Sequence, residues 1–394
     1  MGEALTIRGR CERGFDAVRA ALACNVREHG EVGCAVAVAI DGRAVVDLWA
    51  GWMDTARIRP WCGDTLVNVF SVGKPMAALC LLRLVERGAV DLDAPIARYW
   101  PTFAAGGKDA ITIRMLLCHQ AALPGFSAPL PPRAMYDAAL ITGALEREVP
   151  WWPPGGAHGY HVNTFGFLVG EIVRRLSGEG CAAFFQREIG GPLGAELCFG
   201  IAPELDGRVA DYLLPESDDG LVDFLLASES DQPVAPPEAR RALLHRVYCN
   251  PPGISGFGTV NTRAWRAADM PSVNGHATAR GVARVYSALA CGGSLDGVHV
   301  LGADTLAHAT TEAAAGPDLV LGRTSRFGLG FQLTRPEAPF GTGPRSFGHF
   351  GAGGAVGFAD PDARLAFAYV MNQPGPRWRN PRNRSLIDAV YASL

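Results

Sequence analysis

The sequence predicts an α/β (α+β) protein in which both ends of the chain build one sheet and a mostly helical region is inserted between them. Strand-like apolar runs occur at residues 33–51 and again in the last third of the 394-residue chain. The stretches between these runs have the apolar spacing of helices. We therefore predict a sheet domain made of residues 1–70 and 270–394 and a helical domain made of residues 71–269.

The N-terminal elements are a helix at residues 14–29 and two strands in GCAVAVAIDGRAVVDLWAGW. Asp41 and Gly42 separate the strands, and Asp-Gly between apolar runs is the strongest short signal of a hairpin. A helical pattern then runs from Phe70 to about Arg87. Three more helical patterns follow, in AITIRMLLCHQ, YDAALITGALERE and NTFGFLVGEIVRRLSG.

The C-terminal half begins with residues 205–275, which are rich in Pro, Gly and acidic residues and have weak periodicity. This composition predicts a long connection of the kind that lines binding sites. ATARGVARVYSALACGG predicts a helix that begins near Thr278. Strands follow in RFGLGFQLTR, FGHFGAGGAVGFADP and RLAFAYVMNQ, with a turn at Asp360 to Asp362, and RNRSLIDAVYASL predicts a last helix.

The composition excludes several classes of protein. Lys and Arg number 36 against 39 Asp and Glu, a formal net charge of −3, so we expect no nucleic-acid or membrane partner. The first 16 residues lack the apolar segment of a secretory signal, and no run of 18 apolar residues occurs, which favours a cytoplasmic protein. The ten cysteines include no C-x-x-C pair, so we expect reduced thiols and no zinc site.

Nearly all the positively charged residues are arginines, because the chain has 34 Arg and only two Lys, Lys74 and Lys108. Arg does not lose its proton in a protein, whereas a buried Lys can, so a retained Lys is a candidate base. Lys108 lies in the turn-like AAGGKDA, and we interpret it as a lysine that survived by chance. Lys74 lies in FSVGKP, directly before the apolar run MAALCLLRLV.

Ser71 and Lys74 form the main candidate for chemistry. If a helix begins at Ser71, residues three apart share a face, which brings the Lys74 amine beside the Ser71 hydroxyl. Apolar neighbours favour a neutral amine that can take the serine proton, and the free N–H groups at the helix start favour an oxyanion. The alternative is an N-capping serine followed by a solvated lysine, which S-x-x-K satisfies often by chance.

Signatures of other enzymes are absent from the sequence, namely G-x-S-x-G, H-E-x-x-H, G-x-x-x-x-G-K-[ST] and G-x-G-x-x-G. His158 and His161 have the i, i+3 spacing of a metal pair, but no acidic third ligand stands nearby in the sequence. We interpret them as partly exposed loop histidines. No metal and no other cofactor is predicted.

FSVGK, followed by VERGAVDLDAPIARYWP, resembles the serine β-lactamase and penicillin-binding-protein superfamily. The most similar branch is that of the family VIII, β-lactamase-like carboxylesterases, together with class C β-lactamases. ITIRMLLCHQAALPG, WWPPGGAHGYHVNTFGFLVGEIVRRLSG and GHFGAGGAVGFADP resemble further blocks of the family, in the same order. The resemblance runs from about residue 14 to the C-terminus. It implies an antiparallel sheet flanked by helices, with the active site between the two domains.

The resemblance assigns a second catalytic group, because Tyr160 matches the tyrosine of the family's Y-x-N motif. A phenol held near Lys74 can act as a phenolate, taking the Ser71 proton and later giving one to the leaving group. An ordinary buried tyrosine bonded to backbone is the alternative. Val162 stands where the motif has asparagine, with Asn163 one place later.

The third motif, K-T-G in β-lactamases, matches His349, Phe350 and Gly351 on a strand that edges the site. The resemblance then forms the oxyanion hole from the backbone N–H groups of Ser71 and Ala352. His349 replaces the motif's lysine and Phe350 its threonine, which together meet the carboxylate of a β-lactam. Efficient β-lactam hydrolysis is therefore not expected, although weak activity on cephalosporin-type substrates is.

We predict that the substrate contacts residues 349–351, Trp152 and Asn163 in an apolar acyl or aromatic pocket. The further residues assigned to this pocket by composition are Trp61, Trp100, Trp151 and the loop around Pro233 to Pro252.

The sequence therefore predicts a serine hydrolase that cleaves a small-molecule ester through an acyl-enzyme on Ser71, with Lys74 and Tyr160 as coupled base and acid. An acyltransferase or an amide hydrolase would use the same residues, and a β-lactamase or D-amino-acid peptidase is a further alternative. A metal-dependent hydrolase and a catalytically silent binding protein of the same fold are the rivals from other classes. The oligomeric state cannot be read, because interface composition resembles the rest of a surface.

Overall fold

A nine-stranded antiparallel sheet forms the centre of the computed structural model, which describes residues 6–214, 218–227 and 236–394. The strands are β1 Arg8–Cys11, β2 Gly33–Ile40, β3 Arg43–Gly51, β4 Val67–Asn68, β5 Leu197–Cys198, β6 His276–Ala277, β7 Ser294–Leu295, β8 Val298–His299, β9 Ala314–Pro317, β10 Thr324–Phe327, β11 Gln332–Leu333, β12 Phe347–Phe350, β13 Val356–Asp360 and β14 Leu365–Met371. The large sheet has the order β1-β3-β2-β14-β13-β12-β11-β10-β9. Strands from both ends of the chain meet where β2 pairs with β14, as predicted.

The two predicted hairpins are confirmed. Between β2 and β3, Asp41 has φ 50° and Gly42 has φ 79°, the pair of left-handed residues that a two-residue hairpin turn of the right twist requires. The second hairpin joins β13 and β14, and Asp360 pairs with Leu365 at its end.

The α-helices in the described part of the chain surround this sheet. They are α1 Asp16–Glu28, α2 Gly73–Glu86, α3 Ile113–Leu117, α4 Ala138–Arg147, α5 Thr164–Ser177, α6 Cys181–Phe185, α7 Gly191–Leu193, α8 Asp218–Ala227, α9 Pro237–Tyr248, α10 Arg263–Ala267, α11 Ala279–Ala290, α12 Ala303–Ala309 and α13 Pro381–Tyr391. Thr278 caps α11, as predicted, by accepting a hydrogen bond from the Gly281 N–H.

The long connection predicted for residues 205–275 is wrong in one respect, because α8, α9 and α10 lie within it. The apolar residues of α8 and α9, such as Val222 and Val247, are buried in a small second core that is separate from the main one. Residues 215–217 and 228–235, the second of which includes the start of the Pro233–Pro252 loop, lie outside the described residues.

Helix packing separates two groups of elements around the sheet. Helix α11 lies on β2, β13 and β14, whereas α2 packs against α5 and α6 away from them. The division at residues 71–269 stays a prediction. Among the described residues, no helix has both the length and the apolar character that crossing a membrane requires.

Candidate active site

Ser71 lies in a tight turn between the short strand β4 and helix α2. A 3₁₀ turn, Phe70–Val72, leads directly into α2. Phe70 has φ 47°, a left-handed conformation that bulky residues rarely adopt and that is typical of functional sites. The Phe70 ring packs edge-on against Tyr212, with 4.9 Å between the ring centroids, which holds the turn in place.

Lys74 lies beside Ser71, as the i, i+3 spacing predicted, and it is fully buried. Its Nζ is 3.1 Å from Ser71 Oγ, 2.6 Å from the Val162 carbonyl oxygen and 3.2 Å from the Ser272 carbonyl oxygen. Burial lowers the pKa of Lys74 well below its usual value. Carbonyls can only accept, so a neutral amine gives its two N–H groups to them. Its lone pair then faces the Ser71 hydroxyl.

Tyr160 contributes a buried phenol beside Lys74, whose Nζ lies 4.7 Å from the centre of the Tyr160 ring. The Tyr160 hydroxyl lies 3.5 Å from His349 Nε2. Burial raises the pKa of Tyr160 well above its usual value, although the nearby Ser71 hydroxyl acts against this. The phenol is therefore protonated and suited to donating a proton rather than to acting as a phenolate.

Asp318 fixes the backbone that carries this tyrosine, and sequence reasoning missed it. One carboxylate oxygen accepts from the backbone N–H groups of Tyr160, Val320 and Leu321, at 3.0, 2.9 and 2.8 Å. The other accepts from the Ser325 hydroxyl at 2.9 Å. Because Asp318 and Tyr160 are 158 residues apart, no local pattern marks the pair.

His349 supplies a neutral acceptor to the site. Its Nδ1 lies 2.6 Å from the Phe350 carbonyl, which can only accept, so the ring hydrogen is on Nδ1 and the Nε2 lone pair faces Tyr160. Burial, together with the nearby Lys74, lowers the pKa of His349 to about 3. The position at which the resemblance has a cationic lysine is therefore uncharged.

Three more histidines lie near Tyr160, and the interpretation of two of them as partly exposed is wrong. His158 and His161 are both buried, and burial lowers the pKa of His161 to about 4. The ring of His119 packs 4.9 Å from that of Tyr160. Asp318 lies 3.9 Å from His158, yet the described ranges contain no group of three side chains that could hold a metal ion.

The loop after β12 carries Ala352, the predicted second oxyanion donor, and long-range bonds fix its path. The Tyr212 hydroxyl donates to the Ala352 carbonyl at 2.9 Å, and Asn380 Nδ2 donates to the Gly353 carbonyl at 3.2 Å. A Cβ atom on Gly353 would lie 2.5 Å from the Tyr212 hydroxyl oxygen. The glycine-rich run therefore lets these side chains approach the backbone, and sequence reasoning did not find either of them.

A cavity of about 1060 Å³, including its part open to solvent, contains this chemistry. Ser71, Tyr160 and Ala352 all line it. Its walls are largely apolar and come mainly from α8, α9 and the segment after β14. Representative wall residues are Leu221, Leu225, Leu244, Tyr248, Phe257 and Trp378.

None of the predicted substrate-contacting residues lines this cavity. Trp152 Nε1 donates to the Ala157 carbonyl at 3.2 Å, and Phe350 stacks on Phe340 with 4.9 Å between ring centroids. Gly351 is buried beside the Val69 backbone. Their assigned contacts with substrate stay predictions.

Asn163 and His349 stand directly behind the cavity lining. Asn163 Nδ2 donates to the Val247 carbonyl and to Ser255 Oγ, and Ser255 lines the cavity. His349 contacts the lining residue Tyr160.

The assignment of Trp61, Trp100 and Trp151 to the pocket, made from composition, is wrong. Trp61 and Trp100 are 2% and 0% exposed in the main core, and Trp151 lies outside the cavity lining. Trp378 is the tryptophan that the structure places there. It lies in the irregular segment after β14, where no periodicity could have indicated its direction.

Comparison with known proteins gives consistent matches over nearly the whole chain. The sequence model of the Beta-lactamase family matches residues 16–392. The esterase/beta-lactamase LipL of Mycobacterium tuberculosis is 33% identical over 374 residues, which cover 92% of this chain and 83% of that protein.

Two solved structures are similar to the same degree. One is a family VIII carboxylesterase, with a TM-score of 0.88, 37% identity and coverage of 99% of this chain and 100% of the other. The second is a penicillin-binding protein homologue from Caulobacter crescentus, with the same TM-score, identity and coverage.

Proposed function

Because this chain belongs to the Beta-lactamase family, we propose that it is a carboxylesterase, a serine hydrolase that cleaves small esters through an acyl-enzyme on Ser71. One observation carries the proposal most strongly. The Lys74 amine faces two carbonyls and the Ser71 hydroxyl, so its lone pair is directed at the proton that must leave. A non-catalytic binding protein has no need of a buried amine in this state.

Acylation begins when Ser71 Oγ attacks the ester carbonyl while its proton passes to Lys74. A C–O bond forms, the carbonyl π electrons move onto oxygen, and the N–H groups of Ser71 and Ala352 stabilise the resulting oxyanion. Both residues line the cavity, which supports this assignment. The hydrogen bond from the Tyr212 hydroxyl to the Ala352 carbonyl keeps the loop in position before substrate binds.

Collapse of this intermediate expels the alcohol. The bond between the carbonyl carbon and the leaving oxygen breaks, and Tyr160 donates its proton to that oxygen. The proton held by Lys74 then restores the phenol. Water then attacks the carbonyl carbon of the acyl-enzyme while one of its protons passes to Lys74. The bond between that carbon and Ser71 Oγ breaks, Tyr160 donates its proton to Ser71 Oγ, and the proton held by Lys74 restores the phenol. These steps release the acid and regenerate Ser71.

The character of the cavity favours esters over β-lactams. The walls are apolar, and His349 is neutral where β-lactamases have the lysine that meets the β-lactam carboxylate. We therefore expect weak β-lactam hydrolysis at most. An acyltransferase or an amide hydrolase would use the same residues, Ser71, Lys74 and Tyr160. The lining residues that the structure describes include no feature that favours either activity over ester hydrolysis.

The test measures initial rates on p-nitrophenyl butyrate and nitrocefin, together with intact-mass labelling by a fluorophosphonate. The wild type should turn over the ester far faster than nitrocefin and gain one label, whereas Ser71→Ala should lose roughly 10³-fold or more in rate and take no label. Ser294→Ala, at an exposed serine of β7, is the control. Equal ester rates in Ser71→Ala and wild type would overturn the proposal.

A further inference from the structure

Arg323 lies at the mouth of the catalytic cavity, in the turn before β10. It is exposed and belongs to the lining that includes Ser71 and Tyr160. Its guanidinium carbon stacks 4.5 Å from the centre of the Trp378 ring. That ring packs edge-on against Tyr160, with 5.4 Å between centroids. One aromatic ring therefore separates a positive charge from the reacting groups.

No acidic partner neutralises this charge within the part of the chain that the structure describes. No carboxylate there lies within 4.0 Å of the Arg323 guanidinium, whereas Arg326, in the strand β10 that follows, pairs with Glu312 at 2.6 Å. Asp318, whose charge acts on Arg323, already accepts four hydrogen bonds from other groups. The Arg323 fork is thus available to a ligand.

The described lining of the cavity as a whole carries positive rather than negative side chains. Arg377 also lines it and is exposed, and the structure gives its guanidinium no carboxylate partner among the described residues. Neither Asp nor Glu occurs in the described lining. A cationic mouth above an apolar interior favours a ligand that is apolar at the reacting end and anionic at the other.

We propose that the substrate is an ester that also carries a free carboxylate, and that Arg323, assisted by Arg377, binds this carboxylate at the cavity mouth. This inference rests on the proposed esterase function. A guanidinium that lies over an aromatic ring still has N–H groups for a carboxylate, with which it can form two parallel hydrogen bonds. His349 is uncharged, so a carboxylate close to the reacting carbonyl meets no cation at that position. Arg323 is separated from Tyr160 by the Trp378 ring, so it would meet a carboxylate at the far end of the substrate.

The test compares two p-nitrophenyl esters with six-carbon acyl chains, the hexanoate and the adipate monoester, which differ in a terminal carboxylate. The wild type should prefer the adipate monoester, and added salt should weaken that preference. Arg323→Gln should lower kcat/KM on the adipate monoester about tenfold and on the hexanoate less than twofold. Arg345→Gln removes the same charge from an ion pair with Asp362 just before β12, outside the cavity lining, and should change the rate on neither ester.

Equal losses on both esters in Arg323→Gln, or a wild type that prefers the hexanoate, would overturn the inference. Calorimetric binding of both esters to Ser71→Ala separates it from the proposed function. If the wild type hydrolyses neither ester, the esterase proposal fails. The anion site is still supported if Ser71→Ala binds the adipate monoester more tightly than the hexanoate and the Ser71→Ala, Arg323→Gln double variant loses this difference. If the wild type hydrolyses the hexanoate rapidly and Ser71→Ala binds both esters equally, the anion-site inference fails and the esterase proposal stands.

Discussion

The two lysines of this chain lie in different regions and look alike by burial, since neither is exposed to solvent. Each Nζ contacts three oxygen atoms. Lys108 donates to the carbonyls of Ala105, Glu146 and Glu148, whereas Lys74 meets two carbonyls and a hydroxyl. Three carbonyls require three N–H groups and therefore an ammonium, but a hydroxyl can donate to an amine lone pair.

The surroundings of the two amines reinforce this difference. Burial lowers the pKa of Lys108, but the charges of Glu148 and Glu146 act against the effect, whereas burial acts on Lys74 with no such carboxylate. Burial alone therefore does not make a lysine a base, and the acceptors around it decide its state. The structure also gives Lys108 a bonding role, which corrects its interpretation as a chance survivor.

The largest expected effect concerns activity. Lys74→Ala should lower kcat/KM on p-nitrophenyl butyrate by roughly 10³-fold, because no base then takes the Ser71 proton. Lys108→Ala should stay within about threefold of the wild type wherever it is folded. Circular dichroism on both variants serves as the control, and a folded Lys74→Ala enzyme with a tenth of the wild-type rate would break the comparison.

The second effect concerns stability, for which we expect Lys108 rather than Lys74 to be the important lysine. Lys108→Met removes the donor from three carbonyls, of which the Glu148 contact is buried and the other two are partly buried, and should cost about 3 kcal/mol, or roughly 4 °C in Tm for a chain of this size. Differential scanning calorimetry measures this value. Lys108→Arg, which keeps the charge, is the matched variant. An unchanged Tm in Lys108→Met would mean that water replaces the ammonium without loss.

The third effect is the pH dependence of kcat/KM. Protonated Lys74 cannot accept the serine proton, so activity should fall as the pH falls through the lowered pKa of Lys74. The pKa values of His349 and His161, about 3 and about 4, put both histidines outside the range from pH 5 to 9. An acid limb above pH 5 would therefore not come from either of these histidines, and we expect it to reflect Lys74. A rate that still rises from pH 9 to 10.5, as for an ordinary lysine, would contradict the neutral-amine assignment.

The smallest expected effect tests the role of His349 as a neutral hydrogen-bond acceptor for Tyr160. His349→Asn should lower kcat by about tenfold or less, because Tyr160 loses the ring nitrogen that faces its hydroxyl. The acid limb of the pH profile should not move, since no charge is removed. A shift of that limb would instead mean that His349 titrates during catalysis.

Much of the site could be predicted where the geometry is local. The Ser71–Lys74 contact follows from helix spacing, and Tyr160 and His349 came from the resemblance to a family. Asp318 and Tyr212 could not be predicted. Each joins segments separated by well over a hundred residues, so its position depends on the tertiary path of the chain rather than on any local pattern.

The fold shows the same limit. The hairpins and long amphipathic helices were predicted because each turn or apolar face is visible within about a dozen residues. Helices α8 and α9 were missed because their buried residues, such as Leu221 and Leu244, face a small separate core between polar, Pro-rich flanks. The helices that line the cavity, α8 and α9, are thus the elements that were hardest to predict from the sequence.

Helix α13 has a consequence for the timing of assembly. Asn380 and Asn383, at its start, donate to the carbonyls of Gly353 and Gly354, and Asn25 of α1 donates to the Arg382 carbonyl. Ser71 and Lys74 leave the ribosome some 300 residues before this helix exists. The loop that carries Ala352 gains these two supports only when α13 docks, so a nascent chain would carry the proposed nucleophile for most of synthesis before the loop is fully held.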